Sequence, residues 1–283
     1  MRIAICLLFF WNIALAQNKI KTDCNTIYVC IDSASCNAIF SNAYVKEKLF
    51  VCRSKSITTN NDSYSGNYLI GKSATIEFLQ PQKGHQNGDK LGDFGVELKT
   101  RQIGNLATML QQSKKEKCQL DTITNRIIVA DTTVSWYKEL AFKKKNFELS
   151  VVEYQKEYLK YMGFSEDQMA SEMTFEQFNT HLSNGRKYPK QFSKIISVTV
   201  LVPEKELKTF QQYCALNQMK KGKSSFYNND FKIIYKTAKI NSAAVINEIA
   251  FELIESQPKQ IIQLSNRVTL DVSGNKGRFI FNQ

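Results

Sequence analysis

The order of local sequence signals repeats along this chain, and that repeat limits the possible folds more than any other feature. In the first unit, a β-rich run at 26–31 precedes a helix at 33–49, and strand signals follow at 51–58, 66–70 and 74–79. The helix carries apolar residues at helical spacing on one face, namely Cys36, Ile39, Phe40 and Ala43. The pattern predicts a β-α-β-β-β unit.

The same order returns twice further along the chain. The second unit has a strand at 94–98, a helical stripe, and strands at 126–130, 134–142 and 147–154. The third has a strand at 195–202, another stripe, and strands at 231–236, 245–254, 267–272 and 278–281. The two stripes are formed by Ile103, Leu106, Ala107 and Leu110, and by Leu207, Phe210 and Cys214. The polar stretch 164–188 between these units is predicted to be helical in part.

A single unit of this kind has one sheet face covered by its helix and one open face. Two units side by side can form a cupped sheet with a pocket inside. The sequence therefore predicts an α+β fold of repeated β-α-β-β-β modules, with two paired into a cupped sheet and a third similar half-module. The predicted boundaries are 17–165 for the paired modules, 166–192 for a connector and 193–283 for the third module. The alternative is a generic α+β chain with coincidental spacing.

The N-terminus has the features of an export signal. Arg2 precedes an apolar run at 3–13, and the small residues Ala14 and Ala16 mark a cleavage site before Gln17. The run is too short to span a bilayer, and nothing after Gln17 resembles a membrane segment. The sequence predicts a signal peptide at 1–16 and a periplasmic or secreted protein, with a buried N-terminal helix as the alternative.

Charge and cysteine content narrow the class of protein only a little. The net charge of +12 comes largely from lysine clusters at 114–117, 143–145 and 220–223, which lie between apolar segments and lack interleaved aromatics. We expect solvated loops there and no nucleic-acid partner. Six cysteines follow the predicted cleavage site, and an oxidising compartment would allow disulfides among them: Cys24, Cys30, Cys36, Cys52, Cys118 and Cys214. Sequence cannot choose a pairing, and buried free thiols are the alternative.

Two acidic residues lie within otherwise apolar predicted strands. Glu77 lies in the strand at 74–79, and Glu153 shares one face of the strand at 147–154 with Leu149 and Val151. Burying an unpaired carboxylate is costly, so each needs a structural or functional reason. Both lie in the last strand of their unit. If the units pair, pseudo-symmetry is expected to bring both carboxylates into one pocket.

Short motifs add a resemblance to a known superfamily. They are Tyr64-x-Gly66-x-Tyr68-Leu69-x-Gly71, Thr75-Ile76-Glu77-Phe78, Trp136-Tyr137 and Val152-Glu153-Tyr154. With the repeat, they resemble the vicinal-oxygen-chelate superfamily of glyoxalase I, bleomycin-resistance proteins and extradiol dioxygenases. More narrowly, the chain looks like an uncharacterised bacterial family of glyoxalase-like proteins. The aromatic residues Tyr64, Tyr68, Trp136 and Tyr154 are candidates for lining the pocket, with core packing as the alternative.

The resemblance also implies where a metal would bind. Metal enzymes of the superfamily carry His or Gln in the first strand of each unit and Glu in the last. Here the last strands supply Glu77 and Glu153, whereas the first-strand positions hold Thr26 and Asp93. His85 and His181 lie in polar segments and are expected at the surface. An oxygen-only set of Glu77, Asp93 and Glu153 would suit a divalent cation such as Ca²⁺ or Mg²⁺, although such acids also pair with Lys or Arg.

Three functions remain open at this point. The first is an exported glyoxalase-like protein that binds a small polar or cationic ligand in the cup, with Glu77 and Glu153 orienting it. The second is a metal-dependent lyase, isomerase or oxygenase. The third is a non-catalytic surface protein, with the third unit as its interaction surface. No phosphate-binding glycine loop, G-x-S-x-G elbow or H-E-x-x-H motif is present.

Overall fold

The computed structural model describes residues 19–60, 63–82, 88–129, 132–238 and 242–282. The predicted signal peptide and His85 lie outside these residues. Two mixed β-sheets and six α-helices make up the described chain, so the α+β fold class is confirmed. Among the described residues, no helix is both long and apolar enough to cross a bilayer.

The first sheet contains eight strands in the order β2-β3-β4-β1-β5-β8-β7-β6. These are β1 (Thr22–Cys30), β2 (Val51–Thr58), β3 (Ser63–Ile70), β4 (Thr75–Leu79), β5 (Phe94–Thr100), β6 (Asp121–Val129), β7 (Thr132–Lys143) and β8 (Phe147–Tyr154). Helix α1 (Ser33–Ser41) and a π-helical segment (Tyr44–Leu49) follow β1, and α2 (Asn105–Lys115) follows β5. Each half is therefore one β-α-β-β-β unit, as the repeat predicts.

The two units join through their first strands. β1 runs antiparallel to β5, and each first strand also pairs in parallel with the last strand of its own unit. The outer strands β2 and β6 then meet, because Thr59 bridges Ile127 and the Asn60 amide donates to the Arg126 carbonyl at 3.2 Å. The sheet is thus strongly curled, and its concave interior is called the cup below.

Alternation along the strands separates a helix-covered outer face from the cup. On β4, Ile76 and Phe78 are fully buried in the main core, and Phe78 meets Phe40 of α1 edge to face at 6.2 Å between ring centroids. Glu77 between them must point the other way, into the cup. Helix α1 begins where Asp32 accepts a hydrogen bond from the Ser35 amide at 2.8 Å and so acts as the N-cap.

The second sheet contains six strands in the order β10-β11-β12-β9-β13-β14. They are β9 (Phe192–Pro203), β10 (Lys220–Lys221), β11 (Ser225–Tyr227), β12 (Lys232–Ala238), β13 (Val245–Gln263) and β14 (Val268–Phe281), with a helix, Glu204–Leu216, after β9. Strands predicted separately at 267–272 and 278–281 are one continuous strand, β14. β10 and β11 have only two and three residues, too short for a periodic signal.

Three short helices lie between β8 and β9 in the sequence, and together they are called the cap. They are α3 (Lys156–Tyr161), α4 (Glu166–Ala170) and α5 (Phe175–Leu182), so the helix after β9 is α6. The cap has its own small core, distinct from the main one, made of Leu159, Phe164, Met169, Met173, Phe175 and Phe178. α4 and α5 each begin with a capping box, Ser165 with Gln168 and Thr174 with Gln177.

The outer faces of both sheets share the main core. The Phe50 ring lies 5.0 Å from that of Phe192 and 5.2 Å from that of Phe251. Tyr213 of α6 donates its hydroxyl towards the carbonyls of Val96 and Ser150, each at 3.1 Å. All six described cysteines are free thiols and four of them are buried, so the free-thiol alternative describes this structure.

Candidate functional site

A continuous row of paired residues crosses the floor of the cup. Tyr68 on β3 lies opposite Glu77 on β4, and Glu77 lies opposite Tyr28 on β1. The row continues through Gly95 on β5 to Glu148 on β8. Because paired residues point to the same side of a sheet, these side chains share the cup.

Glu77 is buried at the centre of this row. It is 8% exposed, and burial raises the pKa of its carboxyl group to about 7, against a smaller lowering by the Tyr68 hydroxyl beside it. Neither Oε1 of Glu77 nor the Tyr68 hydroxyl makes a hydrogen bond of good geometry with the described residues. A side chain at position 66 would collide with both groups, so Gly66 makes room for them. Most buried polar atoms in proteins form hydrogen bonds, so these two buried atoms without one could bind a polar group of a ligand.

Three more glutamates, none of them predicted as a site residue, face the same interior. They are Glu97 on β5, Glu139 on β7 and Glu148 on β8. Burial raises the pKa of Glu97 to about 7, with Asn25 donating a hydrogen bond to its carboxylate. Burial and the negative charges of Glu148 and Glu97 raise the pKa of Glu139 well above its usual value. For Glu97 a signal is present in the alternation of Gly95, Glu97 and Lys99 along β5, but Lys99 lies beyond the end of the strand predicted at 94–98.

Among the described residues, positive charge pairs with Glu148 but not with the other three acids of the cup. Lys143 lies 3.5 Å from Glu148, at the end of the row. Lys99 also lies in the cup but donates to the carbonyls of Thr100 and Met173 at 2.9 and 3.0 Å. No ion pair among the described residues involves Glu77, Glu97 or Glu139.

The structure does not bring Glu153 into the cup with Glu77. Glu153 accepts hydrogen bonds from the amides of Gly104 and Leu106 at 3.0 and 2.9 Å, at the start of α2. It is therefore on the outer face, where its charge complements the N-terminal end of that helix. The expectation of one pocket shared by both acids is wrong. Its physical cause is register, since a slip of one residue moves a side chain to the opposite face.

The predicted oxygen-only metal set is not assembled. The Asp93 carboxylate accepts a hydrogen bond from the Lys90 amide at 3.1 Å and so holds the turn before β5. Glu153 lies on the other side of the sheet from Glu77. Within the described ranges, no three His, Cys, Asp or Glu side chains are placed to hold one metal ion. His181 stacks on Phe164 in the cap at 3.8 Å, away from these acids' row.

The predicted aromatic residues divide between the cup and the cap. Tyr68 lies in the central row, and Tyr64 precedes it by four residues on the same face of β3. Tyr154 pairs with Tyr137 on the cup side of β7 and β8. Trp136 lies at a β-bulge of β7, and its ring contacts those of Tyr137 and Tyr158 at 4.7 and 6.1 Å.

The cap covers one side of the cup. The Tyr154 ring lies 4.7 Å from the ring of Phe178 in α5 and 5.6 Å from that of Tyr158 in α3. Nζ of Lys99 on β5 donates a hydrogen bond to the Met173 carbonyl, and the Phe175 amide donates one to the Asp23 carboxylate on β1 at 2.8 Å. The cap is thus held by both first strands. Cavities of about 600 Å³ along α5 and about 140 Å³ beside the start of α1 are lined by residues outside the row of acids and tyrosines.

Strand order defines the architecture: two paired β-α-β-β-β modules share one curled sheet, and a third module with an added hairpin forms the second sheet. The sequence profile of DUF5829, a family of unknown function, matches residues 24–281, and the chain belongs to that family. A comparison with curated proteins gives no match.

Several solved structures resemble the chain distantly. A xylose isomerase-like TIM barrel/4-hydroxyphenylpyruvate dioxygenase fusion protein is 9% identical with a TM-score of 0.45, and the match covers 81% of this chain but 36% of that one. The Mn(II)-bound glyoxalase from Novosphingobium aromaticivorans is 7% identical with a TM-score of 0.43, over 90% and 79% of the two chains. A mutant 4-hydroxymandelate synthase from Streptomyces coelicolor is 8% identical with a TM-score of 0.44, over 82% and 71%.

Proposed function

We propose that the protein binds a small cationic ligand inside the cup. The observation that carries this proposal is that Glu77, Glu97 and Glu139 are buried on one side of the sheet without an ion pair among the described residues. Beyond the effect of burial, the charge of Glu77 helps to raise the pKa of Glu97, and the charge of Glu97 helps to raise the pKa of Glu139. Burial without a basic partner favours the protonated, neutral form of these groups, and a cation that enters the cup would favour the ionised form by taking the place of the bound proton.

Part of the interior of the cup is accessible to a ligand. Tyr28, Tyr68 and Tyr137 retain part of their accessible surface although they lie in the cup. Glu97 is likewise only half-buried by accessible surface, while protein atoms surround its carboxylate. Oε1 of Glu77 and the Tyr68 hydroxyl have almost no accessible surface, so a ligand that contacts them must displace neighbouring side chains.

A metal-dependent reaction is not proposed. The superfamily's metal enzymes imply a compact ligand set, and Glu77, Asp93 and Glu153 do not form one here. We propose ligand binding as the function. The alternative is a non-catalytic surface protein that uses its third unit, in the second sheet, as an interaction surface. We further propose that the chain is exported, with cleavage before Gln17.

Calorimetric titration of the mature chain with cations and anions tests binding. Probe cations are choline, Mg²⁺, Ca²⁺ and Mn²⁺, and acetate is the anion. We expect at least one cation to bind, acetate not to bind, and Glu97→Gln to weaken the cation by about tenfold, the loss of one charge-assisted contact. Glu204→Gln, an exposed acid at the start of α6, is the control. The proposal is wrong if no cation binds or if both variants weaken binding equally.

A further inference from the structure

We infer that the cation taken by the cup is an organic ammonium ion, held between tyrosine rings and carboxylates, and not a metal ion. This inference rests on the proposed function, because it requires that a cation enters the cup.

The carboxylates are arranged around the interior instead of converging on one point. Glu77, Glu97, Glu139 and Glu148 come from four different strands, β4, β5, β7 and β8. Hard divalent cations need several oxygens at about 2.0–2.6 Å around one centre. No such three-ligand group exists among the residues that the structure describes. A larger ion with diffuse charge tolerates carboxylates spaced around it.

Tyrosine rings fill the positions between these acids. Glu77 is flanked in the row by Tyr68 and Tyr28, and Tyr137 lies beside Glu139, which raises its pKa together with burial. Burial also raises the pKa of Tyr28 and Tyr68, so their phenol groups are neutral at physiological pH. Neutral aromatic faces attract ammonium ions within about 6 Å of the ring centroid.

Gly95 fixes the position of one of these rings. A Cβ at position 95 would overlap the ring of Tyr28, which lies directly over the β5 backbone. The missing side chain at position 95 thus leaves the space that the Tyr28 ring occupies over β5. An aromatic wall of this kind contributes surface to a ligand without contributing a metal-binding atom.

The chain itself already places an ammonium group in this environment. Nζ of Lys99 lies 5.7 Å from the centroid of Tyr154 while donating to two carbonyls, and its side chain is 2% exposed. Burial lowers the pKa of Lys99 to about 8, so this wall of the cup still holds an ammonium at neutral pH, with two carbonyls and the Tyr154 face offsetting part of its desolvation. Glu77 and Glu97, farther along the interior, offer the negative charge for a second one.

Choline and 3,3-dimethylbutan-1-ol have the same shape, but only choline is charged. Comparing their affinities shows whether the positive charge, and not only the burial of apolar surface, contributes to binding. Titrated into the mature chain, choline is expected to bind at least tenfold more tightly than the alcohol. Tyr28→Leu should weaken choline by about tenfold and Tyr28→Phe by less than threefold, because phenylalanine keeps the aromatic face. Tyr161→Leu, exposed on α3, is the control, and circular dichroism verifies folding of each variant.

Each outcome decides between the two claims. Binding of Mg²⁺, Ca²⁺ or Mn²⁺ without choline overturns the ammonium inference but leaves cation binding intact. Equal affinity for choline and the alcohol also overturns it, since charge would then play no part. If Tyr28→Leu does not fold, Tyr68→Leu and Tyr68→Phe take its place with the same expected results. Absence of binding by every cation overturns both claims.

Discussion

At the scale of the residue, a protonated Glu77 is the form that the folded cup prefers. The pKa of its carboxyl group is 4.5 when exposed and about 7 in the cup, because burial disfavours the charge. Between these values the unfolded chain releases a proton that the folded chain retains. Folding stability is therefore highest below the unfolded pKa and falls as pH rises towards the folded pKa.

Glu77→Gln should remove the part of this pH dependence that comes from Glu77 and leave the parts that come from Glu97 and Glu139. We expect the free energy of unfolding of the wild type to drop from about pH 5 to pH 8, with Glu77 responsible for up to roughly 3 kcal/mol. The variant keeps the shape without the charge, so it should be more stable than the wild type at pH 8. Urea denaturation at both pH values measures this, with Glu204→Gln as control. An unchanged slope in the Glu77 variant contradicts the account.

Glu153 should behave in the opposite way, because it serves α2 and not the cup. Glu153→Gln leaves one acceptor oxygen for two amides and removes a charge from the helix N-terminus. We expect a loss of about 1–2 kcal/mol in unfolding free energy. Cation affinity measured by titration should stay within twofold. Loss of binding at unchanged stability would place Glu153 at the ligand site instead.

The contrast between these two acids shows what could be predicted from sequence at this scale. An acid inside an apolar strand correctly indicated that Glu77 and Glu153 needed partners. Which face each occupied depended on single-residue register, and equal distance from a helical stripe does not determine that. Glu139 and Glu148 escaped notice because each becomes informative only when its neighbour across the β7–β8 pair is known.

At the scale of the element, the cap is the least predictable and the most separable part. Its helices are short and polar, and the sequence indicated only partial helix there. The two capping boxes, Ser165 with Gln168 and Thr174 with Gln177, were a readable signal of two helix starts. The long strands around the cup, in contrast, followed from alternation and β-branched composition.

Phe178→Ala should loosen the cap while sparing the cup's strands. The Phe178 ring packs on both Phe164 and Tyr154, so its removal should cost about 3 kcal/mol of local stability. Hydrogen exchange should then accelerate in α3–α5 but not in β4 or β5. Leu182→Ala, on the exposed side of α5, is the control. Uniform acceleration across the chain would show that the cap is not a separate unit.

At the scale of the whole molecule, the repeat predicted the modules but not how they pack. Period and order sufficed for two paired units, because each helix and strand of a unit carries a local pattern. The contact of Phe50 with Phe192 and Phe251 joins residues far apart in sequence, and no local pattern marks them as partners. The hairpin β13–β14, which takes the place of a fourth module, lacks a helix and so had no repeat to reveal it.

Central to the function proposed for this protein is the binding of an organic ammonium ion among the carboxylates of the cup. Carboxyl ¹³C NMR of the labelled mature chain during a choline titration tests it most directly. We predict that the signals of Glu77 and Glu97, assigned through their Gln variants, shift with saturation. Their pKa values should also fall from about 7, because a bound cation favours the ionised form. Shifts confined to exposed glutamates, or unchanged pKa values at choline saturation, would contradict the claim.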